Sequence, residues 1–348
     1  MTRTSILLGG IVFSAAAGAH HSTNLYFDRG DVVEIAGTLT QVEWRNPHTL
    51  LIVETTEEDG REILWQVESR AASQLIRAGL TPDAFQVGDH TRIAGFRGRS
   101  NLTAIFLTNI LLADGRELVV SHFAEPRWTD NLVGPTTGFY EASKLEDLPA
   151  NSDGLFRVWG SDAADRGGDN EGRTLWNDSY PLTTNARAAQ ASWDPVAENP
   201  YIRCLSGMPA IMDQPYPMEF VLEGDNILLY LEEQDTVRTI YMVADASAGN
   251  EVDSPLGYST GRWDDDTLVV TTTNINWPWF DQAGVPQTDA LELVERFTPS
   301  AVGSALSYQV TATDSAIFTE PVILERRWIW VPGEERILYN CVSDNSVP

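Results

Sequence analysis

The chain has 348 residues, of which 43% are hydrophobic, so it can build globular cores and is long enough for two domains. Acidic residues outnumber basic residues by 50 to 23, which gives a formal net charge of −27. Because this charge repels nucleic acid phosphates and anionic membranes, we expect neither as a partner and consider a metal ion, a small molecule or another protein instead.

The first nineteen residues are predicted to be a cleavable signal peptide. Arg3 supplies a positive start, and residues 6–17 form an apolar run too short to cross a bilayer as a helix. Small residues then allow cleavage after Ala17 or after Ala19. We therefore expect an exported protein, periplasmic or extracellular. No second long apolar stretch follows, so no membrane span is expected.

Residues 20–122 are predicted to form an OB-like five-stranded barrel. The segment 70–78 has a helical pattern that ends at Gly79. Five strands with a helix between the third and the fourth follow the order of the OB-fold. Alternation of β-branched or aromatic residues with polar ones predicts these strands at 32–44, 49–56, 63–68, 90–96 and 102–112.

The remainder of the chain is predicted to be a connector, 123–200, followed by a β domain, 201–348. The connector is rich in Asp, Gly, Asn and Ser, and we expect a short helix near 183–192 and packing of Leu155–Trp159 on a domain. Regularly spaced short strands then indicate an antiparallel β-barrel or a strongly bent sheet, so the fold class is mainly β. The strands are expected at 218–222, 227–232, 236–242, 257–263, 267–274, 290–299, 305–313 and 323–331.

The chain contains two cysteines, Cys204 and Cys341. In an oxidising compartment, two cysteines that lie far apart in sequence are expected to form a disulfide. The bridge would join the start of the C-terminal domain to its last strand, and it would stabilise the fold by about 3–5 kcal/mol in the chain-entropy model. A catalytic thiol is the alternative, but no Cys-His pattern accompanies either residue.

Short motifs occur throughout both halves of the chain. In the first half these are Ala19–Ser22 (AHHS), Phe27-Asp28, Gly37-Thr38, Asn46–His48 (NPH), Trp65–Glu68, Gly88-Asp89 and Asp114–Arg116. Together they resemble a family of exported bacterial proteins of unknown function. The second half resembles an uncharacterised module found in the same secreted proteins, through Arg203-Cys204, Gly207–Pro209, Pro215–Pro217, Arg238–Tyr241, Gly261–Trp263, Glu295–Phe297 and Tyr339–Cys341. A His-Pro pair expected after Tyr241 is missing. The resemblance implies export and architecture, and no established activity.

Three of the five histidines form a candidate copper site: His20, His21 and His48. The later cleavage position would leave His20 at the amino terminus, where its amine and imidazole can chelate copper together. The earlier position would leave Gly18-Ala19-His20, where the amine, two amides and the imidazole can surround Cu(II) in a square plane. His48, at the turn between the first two strands, is the expected third ligand. Exposed histidines without a metal are the alternative.

Two loops of the second half have weaker signals. Asp264–Asp266 could hold a calcium ion through clustered carboxylates, but three aspartates at a hairpin tip are more typical of a solvated turn. The aromatic run Trp277–Phe280 would be a ligand platform if exposed and a plug of the barrel end if buried. We favour the turn for the first loop and the plug for the second.

Three classes of function remain open from the sequence. The first is a secreted or periplasmic binding protein with a metal-capable amino terminus. The second is an enzyme with an active site in the C-terminal barrel, using Glu232, Arg238, Glu295 or Arg296, although an Arg–Glu pair is more often a structural tie. The third is an extracellular structural or assembly protein. Motifs for serine hydrolysis, nucleotide binding and zincin chemistry are absent from the sequence.

Overall fold

The computed structural model describes residues 26–77, 79–120, 124–133, 154–161, 179–194, 197–243 and 253–342. The predicted signal peptide and most of the predicted connector lie outside these residues. The described chain is mainly β, as predicted, with a six-stranded sheet in its first part and a closed nine-stranded barrel in its second. No helix within the described ranges is long and apolar enough to cross a membrane.

The first part has the strand order predicted for an OB-like barrel. Its elements are β1 (Phe27–Glu43), β2 (Leu50–Thr56), β3 (Glu62–Glu68), α1 (Ala72–Arg77), β4 (His90–Gly98), β5 (Ala104–Leu111) and β6 (Glu117–Val119). The sheet runs β3-β2-β1-β4-β5-β6, and β3 also pairs with β5 in parallel. This second pairing closes the first five strands into a barrel.

Two glycines allow the strands of the first barrel to lie close together. A Cβ atom at Gly37 would overlap the carbonyl oxygen of Glu54, and one at Gly95 would overlap that of Phe106. Any other residue would therefore force the paired strands apart. Aliphatic side chains from several strands, including the fully buried Val53, fill the interior.

The second part forms a closed barrel in the order β10-β11-β12-β13-β14-β15-β7-β8-β9. Its elements are β7 (Val158–Ser161), α2 (Thr184–Ser192), β8 (Met218–Glu223), β9 (Asn226–Leu231), β10 (Thr236–Tyr241), β11 (Tyr258–Asp264), β12 (Thr267–Thr273), β13 (Glu292–Pro299), β14 (Ala305–Thr313) and β15 (Val322–Trp330). The strand β7, from the segment expected to be a connector, fills the gap between β15 and β8. Leu155 and Trp159 are buried, as predicted.

One pair of neighbouring strands in this barrel is parallel, whereas an antiparallel arrangement was predicted. Strands β10 and β11 are parallel, with Ile240 opposite Ser259. Before β11 begins, the chain has returned to Ser254, which bridges to Ile275 just after β12. A hairpin between β10 and β11 would have made the two strands antiparallel. Because the chain instead returns to the end of the barrel at which β10 begins, β11 runs in the same direction as β10.

A buried ion pair lies inside the second barrel. The Arg238 guanidinium donates to both oxygens of Glu295, and its Nε donates to Ser259 Oγ at 2.9 Å. The Tyr308 hydroxyl donates to Glu295 Oε1 at 3.0 Å, and Thr272 Oγ1 accepts from Arg238 at 2.6 Å. Each charged group therefore has several hydrogen-bond partners, which is the arrangement expected of an ion pair with a structural role.

The two loops with weaker signals have the structures that we favoured. Trp277 and Phe280 are buried in the main hydrophobic core, and Phe280 contacts the ring of Phe318 at a centroid distance of 4.9 Å. Asp264 lies in the exposed β11–β12 turn and forms an ion pair with Arg296 at 2.9 Å. Trp277 and Phe280 are thus part of the core, whereas Pro278 is exposed and Trp279 is half-buried, and the three aspartates are exposed at the end of the hairpin.

Replacing Arg238 with Met is expected to destabilise the fold by about 3–5 kcal/mol, because Glu295 is left buried without its counter-charge. The double variant Arg238→Met/Glu295→Leu should recover much of that loss, because no charge remains inside the barrel. Urea unfolding measures both. The exposed pair Arg296–Asp264 is the control, and its removal should have a much smaller effect. A double variant as unstable as the single one would contradict the assignment.

The Asp281 carboxyl predicts a pH dependence of stability. Burial raises the pKa of Asp281 to about 6, although the backbone N–H groups of Val285 and Ala283 donate to it. Since the carboxyl of the unfolded chain titrates near its ordinary pKa of 3.8, the folded state binds the proton more tightly. The associated stability is fully present below that value and is lost as the pH rises through about 6.

The variant Asp281→Asn should therefore be more stable than the unmodified protein at pH 8, by about 1–3 kcal/mol, and no more stable at pH 4. The Asn side chain retains an oxygen that can accept both backbone bonds. Urea unfolding at the two pH values measures the difference. The exposed Asp289 is the control, and an equal gain for Asp281→Asn at both pH values would contradict the prediction.

Candidate metal centre at His48

His48 lies in the loop between β1 and β2, where its ring is held by a carboxylate. Its Nδ1 lies within ion-pair distance of Glu68 Oε1, although the two atoms are not aligned for a hydrogen bond, and the His48 and Glu68 side chains are 15% and 7% exposed. The ring also packs edge-on against Phe106 at a centroid distance of 6.2 Å. A carboxylate beside one ring nitrogen is also typical of metal-binding histidines, which offer the other nitrogen to the metal.

The other ring nitrogen of His48 is available for a ligand. No hydrogen-bond partner of Nε2 is found among the described residues, and the His48 side chain is partly exposed. A neutral imidazole whose Nδ1 carries the hydrogen has its lone pair on Nε2. The Glu68 carboxylate thus favours the tautomer that can bind a metal through Nε2.

Tyr26, the first described residue, lies near this pair. The pKa of the Tyr26 hydroxyl is raised to about 12, mainly by burial and also by the negative charges of Asp194 and Glu68. A carboxylate affects a phenol in this way only when the two groups are close in space. The start of β1 is close to His48 in the structure, because Phe27 and His48 both pack against the ring of Phe106, at centroid distances of 5.4 and 6.2 Å.

The other predicted ligands, His20 and His21, lie outside the described residues, as does His122. His90 is exposed at the start of β4. Within the described part of the chain, no group of three or more His, Cys, Asp or Glu residues is arranged to hold a metal ion. The structure therefore pairs His48 with Glu68, and the convergence of His48 with His20 and His21 stays a prediction.

Asn46, two residues before His48, joins the first barrel to the end of the chain. Its Oδ1 accepts from Ser73 N at 3.2 Å, and its Nδ2 donates to the carbonyl oxygen of Tyr339. Its own carbonyl accepts from Val342 N at 3.1 Å. Residues 334–342, which we call the C-terminal strap, are thereby attached to the loop that carries His48.

The C-terminal strap is also attached to the second barrel. Cys341 forms the predicted disulfide with Cys204. Asp235 accepts from Tyr339 N at 2.8 Å and from Asn340 N at 3.0 Å. Covalent and hydrogen bonds thus hold the strap on the second barrel while Asn46 holds it on the first.

An ion pair between the two barrels reinforces this connection. Arg77, at the end of α1, donates to both carboxylate oxygens of Glu232 at 2.7 and 2.5 Å and to Glu334 at 2.8 Å. The N–H of Ile337 also donates to Glu232 at 2.9 Å. Glu232, one of the residues considered for a catalytic role, is therefore engaged in joining the two barrels.

The residues that sequence reasoning did not assign to the site are Glu68, Tyr26 and Asn46. The signal for Glu68 was present, because the NPH and Trp65–Glu68 motifs lie at the paired ends of two neighbouring strands, where Leu50 is opposite Glu68. Asn46 depends on a hydrogen bond to Tyr339, and the hydroxyl of Tyr26 is influenced by the charge of Asp194, both of which are far away in the sequence. No local pattern predicts those.

Comparison with known proteins identifies one family model, described as "Family of unknown function (DUF6152)", which matches residues 10–105. The match covers less than half of the chain and includes Asn46, His48 and Glu68. It agrees with the resemblance of the first half to an uncharacterised family. The resemblance of the second half to a secreted module stays a prediction. No curated protein matches the chain.

Replacing Asn46 with Ala is expected to destabilise the protein by about 1–3 kcal/mol, because the Ser73 N–H and the Tyr339 carbonyl both lose a buried partner. Urea unfolding of the oxidised protein measures this loss. Asn101 is exposed in the β4–β5 turn, and its side chain bonds only to Thr103 in the described contacts, so it is the matched control. If both variants unfold at the same urea concentration, Asn46 does not join the domains as described.

Proposed function

We propose that the chain is an exported binding protein that holds one copper ion with His20 and His21, at its processed amino terminus, and His48. The observation that supports this most directly is the His48–Glu68 pair. The carboxylate engages Nδ1 and leaves Nε2 without a partner among the described residues. Imidazole nitrogens are suitable copper ligands.

The chain is long enough to bring the terminal histidines to His48. Phe27, the residue after Tyr26, packs against the same Phe106 ring as His48, at centroid distances of 5.4 and 6.2 Å. His20 precedes Tyr26 by six residues, and six extended residues reach at most about 20 Å. The N-terminal segment therefore has the reach that a shared site requires.

Export is part of this proposal because the free terminal amine exists only after signal cleavage. The disulfide Cys204–Cys341 is consistent with an oxidising compartment, where such bridges persist. The apolar segment 6–17 with its small-residue cleavage positions supports the same conclusion. Periplasmic and extracellular locations fit equally well.

The contacts in the second barrel argue against an active site there, so they favour a binding protein over an enzyme. Arg238 and Glu295 are bonded to each other inside the barrel, and Glu232 is bonded to Arg77. Arg296 is on the outer surface with Asp264. Residues engaged in this way would have to break strong bonds before acting on a substrate. No described contact specifically favours the structural or assembly role.

Copper binding by the untagged protein, secreted with its own signal, tests the proposal. We expect one Cu(II) per chain by calorimetric titration. Replacing His48 with Ala should weaken the affinity by at least about tenfold, and Glu68→Gln should weaken it by about 10–100-fold, because the ring loses its orientation. His90→Ala, which removes an exposed histidine away from the site, is the matched control and should bind like the unmodified protein.

Electron paramagnetic resonance of the same samples identifies the ligands. His48→Ala should lose one nitrogen from the hyperfine pattern, whereas His90→Ala should not change it. Circular dichroism of the apo proteins checks that each variant is folded. If folded His48→Ala binds copper with unchanged affinity and spectrum, His48 is not a ligand and the proposed site is wrong.

A further inference from the structure

Strand β1 has a free edge near its start. It pairs with β4 from Phe27 to Thr38, but its pairing with β2 begins only at Thr38. Over residues 32–37, therefore, no described strand lies on the β2 side of β1. An unpaired strand edge presents N–H and C=O groups that can bind another chain.

The hydrogen bonds of Leu39 show which residues of β1 have their backbone groups on the open side. Leu39 N donates to Asp89 O at 2.9 Å, and Gly88 N donates to Leu39 O at 2.8 Å, so the backbone groups of Leu39 face the β4 side. Successive residues of a strand alternate in this direction, and the pairing with β4 runs from residue 32 to residue 38 without a shift. Glu34 and Ala36 therefore point their N–H and C=O groups to the open side.

A cavity of about 320 Å³ follows this edge, which is the volume of a small ligand site. The β1 backbone forms one wall, and Thr55 and Glu57 of the diverging β2–β3 hairpin form the other. Trp65 lies between them, with its indole N–H donating to Thr55 Oγ1 at 3.0 Å. The site is a cleft between a strand edge and a hairpin, with an aromatic ring in its lining.

The charge of the cleft indicates the kind of partner. Arg97 also lines the cavity, but its charge is matched by Asp31 at 2.9 Å. Glu57 has no ion-pair partner in the described structure, and the neighbouring Glu58 is exposed beside it. The charge left unbalanced is negative, as is the net charge of −27, so a basic segment is attracted both locally and at long range.

We propose that the open edge of β1 binds an extended basic segment of a partner protein by strand addition. The backbone of that segment bonds to Glu34 and Ala36. Its alternate side chains lie over Trp65, and its basic side chains lie near Glu57. This site does not depend on copper binding, because it is formed by residues other than His48 and Glu68.

Amide hydrogen exchange of the full chain tests the free edge itself. The amides of Glu34 and Ala36 should exchange quickly, whereas those of Val33 and Ile35, which face β4, should be protected. Equal protection at all four positions would mean that the chain covers its own edge, and it would overturn the proposal.

Binding is tested with fluorescein-labelled nine-residue peptides that alternate Lys with Val, Leu or Tyr. At least one should bind with a Kd below about 1 mM, and the affinity should fall as salt is added. Two N-methylated versions of the binding peptide, with methyl groups on alternate sets of amides, separate backbone pairing from charge attraction. One version should lose binding and the other should retain it. Failure of all three peptides, or equal binding of both methylated versions, would overturn strand addition.

The variant Glu57→Lys should weaken binding of the Lys peptides by about tenfold, because the unpaired carboxylate is replaced by a like charge. Glu292→Lys is the matched control, since Glu292 is exposed on the second barrel and carries the same change in net charge. Equal weakening in the two variants would show attraction to the whole protein only and would contradict a site in the cleft.

Discussion

The joint at Asn46 is the interaction on which the arrangement of this molecule depends. A single buried amide bonds to the backbone of α1 on one side and to the carbonyl of Tyr339, 293 residues later, on the other. The disulfide Cys204–Cys341 holds that distant segment on the second barrel. A buried amide without hydrogen-bond partners costs about 1–3 kcal/mol. The side chain of Asn46 therefore needs the strap as a partner, and the strap needs Asn46 for its attachment to the first barrel.

The position of His48 follows from this joint. The loop that carries His48 is anchored through Asn46 at its start and continues directly into β2, where Leu50 is opposite Glu68. The ring therefore meets a carboxylate that lies on the neighbouring strand. An imidazole that is held at one nitrogen and open at the other is preorganised for a ligand, because little conformational freedom is lost on binding.

The two barrels use polar groups in different ways. In the second barrel, Arg238 and Glu295 are enclosed with hydroxyl partners, so the interior charges stabilise and specify the barrel. The first part also has a buried carboxylate, Glu117, which accepts from Asn109 and from backbone N–H groups, but it presents further polar groups to the outside at His48 and along the edge of β1. The candidate binding sites are accordingly both on the first barrel.

Most strands could be predicted from the sequence because strand formation shows in local alternation and local turn residues. The OB-like order followed from those strands and one helix. The role of β7 and the parallel pairing of β10 with β11 could not be predicted, because they depend on where the chain returns after long connections. The disulfide could be inferred because only two cysteines exist.

The site was predictable only in part, for the same reason. His48 was singled out by its place in a turn motif, but its partner Glu68 depends on strand register, and the bond of Asn46 to Tyr339 depends on where the end of the chain lies. A sequence pattern contains the chemistry of each residue and its local conformation. It does not contain the distance between side chains that come from separate segments.

The central claim is that export creates a copper site from the new amino terminus and His48. Native mass spectrometry of untagged protein, processed from its own signal, tests it in one measurement. We predict a chain that begins at His20 or Gly18 and carries one copper ion. A chain with a different terminus that carries no metal after exposure to copper would contradict the claim.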